Sequence, residues 1–561
     1  MMLKIQPLPQ EVINIIAAGE VIDSFAAVVR ELAENAIDAQ ATRLSLQISL
    51  ERWQVQIADD GHGMTLADLQ HCARPHSTSK IHTSEDLWRI TSLGFRGEAL
   101  HSIAQLAELE IRSRPVDSPQ AGWRMTYDRT GQVSQQETVA IAPGTIITVS
   151  ELFGPVPVRR QGLPEASHQL REIQDVIQHL ALCHPQVNWS VDVEHKPWLQ
   201  ILSGQTAQDI LPQLLRRVQP SDLGYVQQEI PDYADSQIQL VLGLPDRYHR
   251  HKPDWLKVAV NGRYVRSPQL EQTILAGMAR TLPRHRHPVA FLHLRLPPEQ
   301  IDWNRHPAKT EIYLHNLDFW REAVAGAIAQ VLHLNPEPTA AQNQRLGQLL
   351  KAAEPGATYR LDRTIAATHE PTAAEPKSAI GLMPLKAVAQ VNQMYIVTEH
   401  PNGLWLIEQH IAHERVLYEQ LQAAWQPVPL SNPVVVSGLG DRQVEQLHTI
   451  GLDVEPFGEQ LWAVRSLPSL LMEREDQAEA ILELSKGGDL QTAQVATACR
   501  SAIRNGTPLT LAEMQALIEQ WQQTRNPRTC PHGRPIYLAL DESSLSKFFR
   551  RHWVIGKSHG I

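Results

Sequence analysis

Apolar and polar positions alternate with two different periods along the first part of the chain. Over Glu11–Ala18, Val12, Ile15 and Ile16 fall at helical spacing, and Gly19 stands where a helix C-cap is expected. Over Val21–Ala39, Val28, Leu32, Ala36 and Ala39 recur every three to four residues and predict a second helix. The period then shortens to two. Leu44-Ser45-Leu46-Gln47-Ile48 and Val55-Gln56-Ile57 read as strands, and the second runs into Asp59-Asp60-Gly61-His62-Gly63. Near the other end, Ala387–Thr398 and Leu404–Ile407 predict two strands joined at Pro401-Asn402-Gly403, followed by a helix over Glu408–Glu419. Between these regions the pattern lapses. From Asn335 to Leu385 Pro, Ala, Thr, Gln and Glu dominate, and Tyr359 is the only aromatic residue. Such a stretch buries too little apolar area to offset its chain entropy, which predicts a flexible linker with one short helix near Gln344–Ala353.

Composition narrows the class. The chain has 561 residues, 42% hydrophobic and 20% charged. That mix excludes disordered, collagen-like and coiled-coil chains, and the length implies roughly three or four domains. The linker leaves an N-terminal body too large for one ordinary domain, expected to divide after Gly204 or Ser221. The expected segments are 1–210, 211–334, the linker 335–385, and 386–561 with an insertion at about 430–492. Four cysteines (Cys72, Cys183, Cys499 and Cys530) are too few for a disulfide framework and suit a reducing compartment. No run of 18 apolar residues occurs, and Met1–Pro7 lacks the apolar centre of a signal peptide, so a cytoplasmic protein without a membrane partner is expected.

Charge alters the picture locally. The net charge of −10 excludes coating of nucleic acid by bulk positive charge. Yet Arg247–Arg286 holds nine Lys and Arg against two acids, Asp254 and Glu271. A charge run is usually a solvated face; it is also what contact with a phosphate backbone requires.

Three segments suggest nucleotide chemistry. Glu31, Asn35 and Asp38 share one helical face. Asp59-Asp60-Gly61-His62-Gly63 ends a strand with two glycines beside an acid. Gly94-Phe95-Arg96-Gly97-Glu98-Ala99-Leu100 is a glycine-flanked loop opening a helix, whose amides suit phosphate oxygens. Taken singly, each also reads as a solvated face, a hairpin turn or a tight connection. There is no Gly-x-x-x-x-Gly-Lys-Ser/Thr segment, which excludes a P-loop.

The order of these segments, followed by Gly144-Thr145-Ile146-Ile147-Thr148-Val149, resembles the ATPases shared by DNA gyrase, histidine kinases and MutL. Val28–Ala39, Arg74-Pro75-His76-Ser77-Thr78-Ser79-Lys80-Ile81 and Gly94–Leu100 resemble the MutL family of DNA mismatch-repair ATPases in particular. Val260-Asn261-Gly262-Arg263 and Asp302-Trp303-Asn304-Arg305-His306-Pro307-Ala308-Lys309-Thr310-Glu311 extend the likeness. The resemblance implies an α/β and α+β multidomain chain: a GHKL (Bergerat) ATPase sandwich, a βαβ transducer domain, a flexible linker, and a C-terminal α/β dimerisation domain with an inserted regulatory subdomain. It implies ATP and Mg2+ as cofactors. Glu31 would be the general base, and Asn35 a Mg2+ ligand on a face shared with Asp38. Asp59 would meet the adenine amino group, with Gly61 and Gly63 allowing close backbone approach and Thr145 behind the base. Thr78 and Gly94, Phe95, Arg96 and Gly97 would close over the phosphates, and Lys309 would reach the γ-phosphate. Arg263 and Arg266 would contact DNA without sequence preference. Ser24-Phe25-Ala26-Ala27 and Gly154-Pro155-Val156-Pro157-Val158-Arg159-Arg160 depart from the family's usual segments.

His410 and Glu414 share a helical face, and Cys499 and Cys530-Pro531-His532 add sulfur and nitrogen donors, a set favouring zinc or another late divalent metal. Glu408–Glu419, Ala498-Cys499-Arg500, Cys530-Pro531-His532-Gly533-Arg534-Pro535 and Phe548-Phe549-Arg550 resemble the endonuclease domain of MutL proteins. This implies metal ligation by His410, Glu414, Cys499, Cys530 and His532, with Zn2+ or Mn2+. Glu408 and Ile411 replace the family's aspartate and alanine. The expected function is thus an ATP-driven homodimeric clamp on DNA, partnered by a MutS-type mismatch sensor, that directs nicking at its own metal site. The alternative is a matchmaker without nuclease chemistry. Ala424-Trp425-Gln426-Pro427-Val428-Pro429-Leu430 is a degraded version of a sliding-clamp motif.

Overall fold

The structure is a computed structural model. It describes residues 9–541 except 82, 84, 87, 88, 118–120, 232, 303–312, 334–384, 473 and 475. The linker with its short helix, Lys309 and Phe548–Arg550 lie outside the described residues. By packing, the chain divides into two compact units, Met1–Gly277 with His287–Ile328, and Met278–Arg286 with Ala329–Ile561.

Among the described residues, the first unit holds two large sheets and a two-stranded ribbon of Ile301–Asp302 with Tyr313–Leu314. The larger has eight strands, ordered Val133–Val139, Gly122–Tyr127, Glu108–Arg114, Gly144–Ser150, Gln54–Asp59, Arg43–Ser49, Asn188–Val193 and Lys196–Ile201. All neighbours are antiparallel except Arg43–Ser49 with Asn188–Val193. Alternation in Arg43–Ser49 buries Leu44, Leu46 and Ile48 against the helix Phe25–Asp38, whose Val28, Val29, Leu32 and Ala36 are also buried. That helix keeps its polar face, with Glu31, Asn35 and Asp38, out of this packed core, where it lines a cavity beside the sheet.

The helical region differs from the periodicity in two places. Helix Gln10–Val21 runs through Gly19 instead of ending there. The bare Gly19 backbone makes room for Arg159, since a Cβ would lie 2.4 Å from its Nη1. A break at Ile22–Ser24 then separates this helix from Phe25–Asp38, and the Ser24 side chain caps the new start by accepting the Ala27 N–H. The single helix expected over Val21–Ala39 thus begins only at Phe25.

The second sheet is ordered Arg263–Val265, Leu256–Val260, Ala290–Arg295, Gln237–Gly243 and Leu223–Glu229. Leu256–Val260 and Ala290–Arg295 are parallel, and helix Pro268–Gly277 lies between them in sequence. In the second unit a four-stranded sheet (Lys386–Val391, Tyr395–His400, Gly403–Glu408, Tyr537–Asp541) packs on helices Gln409–Ala423 and Leu511–Gln522. The expected strand Ala387–Thr398 is two strands, because Asn392 and Gln393 both adopt left-handed φ and turn the chain. Pro427–Ser437, Leu461–Pro468 and Val454–Gly458 form a separate three-stranded sheet with its own core around Leu447, Val464 and Ile481. Among the described residues no single helix is long and apolar enough to cross a membrane.

Candidate functional site

Against the large sheet, the polar face of helix Phe25–Asp38 forms one wall of a cavity of about 840 Å3. Glu31, Asn35, Asp38, Asp59, Gly63, Thr78, Gly94, Phe95, Arg96, Gly97 and Thr145 line it. Gly61 lies behind the wall, where a Cβ would meet the Ala39 carbonyl oxygen at 2.7 Å.

Asp59 and Thr145 sit on neighbouring strands. Asp59 pairs with Thr145 across the antiparallel ladder. The Asp59 carboxylate accepts the Gly61 N–H at 2.9 Å, and burial pushes its pKa up to about 6. Thr145 Oγ1 lies 2.9 Å from Ser113 Oγ, which donates to the Gly144 carbonyl and accepts the Met64 N–H. Asp60 points away and holds the Thr42 and Arg43 amides. Gly63 has φ +70°, and a Cβ there would lie 2.1 Å from the Arg114 carbonyl oxygen, so this approach belongs to glycine.

At the opposite end, Glu31 sits beside Arg30, 3.4 Å away. Asp38 accepts the Leu93 N–H at 2.8 Å and the Gly94 N–H at 2.9 Å. Its carboxylate therefore shapes the loop while lining the cavity. Gly97, at φ +63°, packs against the Ser77 backbone and leads into helix Ala99–Leu106. Sequence reasoning assigned nothing to Lys80, yet its ammonium bridges Asn35 Oδ1, at 3.0 Å, and Asp38. Its position two residues after Thr78 was the available signal. Nothing in the sequence marks Ser113.

The Arg247–Arg286 window is not one exposed strip. Arg250 makes two 2.7 Å bonds to Asp254, Arg247 donates to the Ser221 carbonyl, and the Lys257 ammonium stands over the Tyr264 ring. Met278–Arg286 groups with the other unit. Arg266 is exposed. Arg263 corrects the expectation of a DNA contact: it is buried, 6% exposed, and its guanidinium donates to the Ser92 and Leu93 carbonyls.

In the second unit, ligand atoms of Glu414, Cys530 and His532 lie within 4.8 Å of one another. His532 Nδ1 is 2.7 Å from Glu414 Oε1, off the hydrogen-bond axis, and Arg534 is 3.7 Å from the other oxygen. Burial opposes the Glu414 charge, but His532, Arg534 and His410 outweigh it and hold the carboxyl below its ordinary value. Cys530 and Glu414 together push His532 up to about 9. The protonated imidazole meets the cluster's demand for positive charge, as a bound cation would. His410 and Cys499 form a neighbouring pair, Nε2 to Sγ 4.0 Å, outside that three-residue group. His410 Nδ1 lies 2.9 Å from the Ile503 carbonyl, a partner that turns Nε2 towards Cys499. The sulfur, nitrogen and carboxylate donors fit zinc or another late divalent ion. Glu408 instead caps its helix by accepting the Ile411 N–H at 2.5 Å, and Glu419 accepts the Arg525 and Asn526 amides. Trp425, in the degraded clamp segment, donates its indole N–H to the Ile450 carbonyl.

Three family profiles match the chain. Residues 23–151 match the histidine kinase-, DNA gyrase B- and HSP90-like ATPases, 223–333 the DNA mismatch repair protein C-terminal domain, and 388–509 the MutL C terminal dimerisation domain. Among curated relatives, the DNA mismatch repair protein MutL of Rippkaea orientalis is 63% identical over 99% of both chains. That of Microcystis aeruginosa is 58% identical over the full length of both. The archaeal MutL of Methanoculleus marisnigri is 33% identical over 98% of this chain and 100% of its own. A nucleotide-sized cavity walled by a Glu/Asn/Asp helix, an aspartate-ended strand and a glycine loop agrees with that likeness, and the chain belongs to the MutL family of DNA mismatch repair proteins.

Proposed function

We propose that the protein is an ATP-driven homodimeric clamp on DNA that couples mismatch recognition to strand nicking at its C-terminal metal site. The observation that carries the ATP half is convergence: residues from five separate stretches of sequence, around Glu31–Asp38, Asp59–Gly63, Thr78, Gly94–Gly97 and Thr145, line one cavity. Asp59 and Thr145 mark its base end, and Glu31 and Asn35 its phosphate end. In this reading Glu31 takes the proton of the attacking water, and backbone amides of Gly94–Gly97 hold phosphate oxygens. Mg2+ would be held by Asn35, whose amide oxygen is a hard ligand already meeting the Lys80 cation, and would neutralise phosphate charge. Lys309 is assigned to the γ-phosphate by resemblance alone.

For the nuclease half, Glu414, Cys530 and His532 would hold a metal, with His410 and Cys499 able to extend the set. A bound divalent ion would polarise the phosphodiester and activate water. This chain's residues supply the donors and, through Arg534, a further positive charge. Dimerisation would use the C-terminal domain, Arg266 would meet DNA backbone, and a MutS-type sensor would deliver the mismatch signal. Contact with a sliding clamp would involve the Ala424–Leu430 segment.

One observation favours the second reading, a matchmaker without nuclease activity. The Glu408 carboxylate that replaces the family's aspartate is engaged in capping its own helix. Nicking of supercoiled plasmid with Mn2+ separates the two. The nuclease reading expects nicks that disappear in Glu414→Ala; absence of nicks under every metal condition leaves the matchmaker.

A further inference from the structure

The hairpin turn between strands Leu256–Val260 and Arg263–Val265 is held on every side. Gly262, at φ +80°, donates its N–H to His293 Nε2 at 2.9 Å. Its carbonyl lies 3.1 Å from His184 Nε2, just beyond helix Ala166–Cys183 of the ATPase domain. Burial pushes both imidazoles down, to about 3 and about 4, so both are neutral at pH 7. The Asn261 side chain exchanges two 2.8 Å bonds with the Leu296 backbone. The residue that leaves this clamped turn is Arg263.

Arg263 reaches out of its own sheet to the loop of the nucleotide cavity. It donates to the carbonyls of Ser92 and Leu93 and stands 5.7 Å from the Phe95 ring centroid. Burial opposes its charge, while Glu34, Asp38 and Glu31 support it. The amides of Leu93 and Gly94 meanwhile donate to Asp38. The Leu93 residue is thus gripped from two sides, its N–H by the catalytic helix and its C=O by the second sheet.

We propose that Arg263 is a positioning residue for ATP hydrolysis: it ties the phosphate-side loop to the clamped Asn261–Gly262 hairpin, so that loop geometry and hairpin position change together. The inference rests on the ATPase reading. A guanidinium suits the task because Nη2 of a rigid, charged plane meets both carbonyls while that plane stands beside the Phe95 ring, a geometry that an ammonium on a flexible stem does not reproduce. Its removal would take a guanidinium from two carbonyls and a positive charge from beside Glu34, Asp38 and Glu31.

The test uses the full-length protein with Arg263→Lys and Arg263→Ala. Both variants are expected to lose kcat for ATP by about tenfold or more, with affinity for adenosine, which lacks phosphates, held within about twofold. Amide hydrogen exchange should quicken at Leu93 and Gly94 while Leu256–Val260 and Ala290–Arg295 stay protected. Wild-type kcat in Arg263→Lys with unchanged exchange at Leu93 and Gly94 would overturn the proposal. So would exchange that quickens equally in those strands with adenosine affinity lost in step, the mark of a merely structural arginine. If Arg263→Ala does not fold, Arg263→Lys decides. Absence of ATP hydrolysis by the wild type would defeat the ATPase reading instead, and the exchange measurement would still judge the loop tie.

Discussion

Asp59 and Thr145 are cross-strand partners, although one ends the strand Gln54–Asp59 and the other lies near the start of the strand Gly144–Ser150. Their pairing puts a half-buried carboxylate and a buried threonine hydroxyl beside one another in the lining of one cavity. The consequence is a pH dependence. Asp59 has a folded pKa of about 6, above its ordinary value, so the folded protein holds this proton more tightly than the unfolded chain does. Ionising it costs stability as pH rises towards 6, and that cost is fully present above 6. In the proposed role, Asp59 accepts from the adenine amino group and must be ionised to do so. The KM for ATP should therefore rise as pH falls below about 6, by up to tenfold per unit. Asp59→Asn should bind ATP weakly and lose this acid limb; an acid limb that survives in the variant refutes the assignment.

Glu31 lines the same cavity and is proposed as the general base at its phosphate end. Replacing it with alanine should reduce single-turnover hydrolysis by about 10^2- to 10^4-fold while leaving ATP binding nearly intact. Equal turnover in Glu31→Ala and wild type would remove Glu31 from the role of base.

Gly63 is required for backbone reasons. With φ +70° and the Arg114 carbonyl 2.1 Å from a would-be Cβ, Gly63→Ala must shift a strand end. The expected cost is about 2–4 kcal/mol of stability, together with weakened ATP binding. Denaturant unfolding checks the first and equilibrium nucleotide titration the second. A variant as stable as wild type would show that this turn relaxes freely.

In the C-terminal unit, Glu414→Ala removes a fully buried carboxylate from the group it forms with His532 and Cys530. Elemental analysis after dialysis should find less bound zinc or manganese than in wild type, and nicking should vanish. Glu408→Asp shortens the residue that now caps its helix. Nicking in that variant should equal or exceed wild type. A fall would mean that the longer side chain is itself the functional form.

The N-terminal site was legible in sequence because its chemistry is carried by short segments whose geometry is local. One helical face suffices to align Glu31, Asn35 and Asp38, and a glycine at Gly63 or Gly97 announces an unusual backbone. Lys80 was not legible, since an isolated lysine reads as a solvated charge until helix and loop bring Asn35 and Asp38 to it. Gly19 misled for a related reason. A glycine near a helix end usually terminates it, but here the missing Cβ serves the distant Arg159. The basic window misled because formal charge ignores pairing: Asp254 neutralises Arg250, and burial withdraws Arg263.

Sequence alone determined the family, the alternating and helical segments of the ATPase core, and the donor types available to the candidate metal site, because periodicity and side-chain chemistry are local properties. Tertiary structure decided which donors meet: Glu414 with Cys530 and His532, and His410 with Cys499 as a neighbouring pair. It also decided that Arg263 faces a loop of the nucleotide cavity and not solvent. Those outcomes depend on contacts between residues far apart in the chain, and such contacts exist only once the sheets and helices have packed.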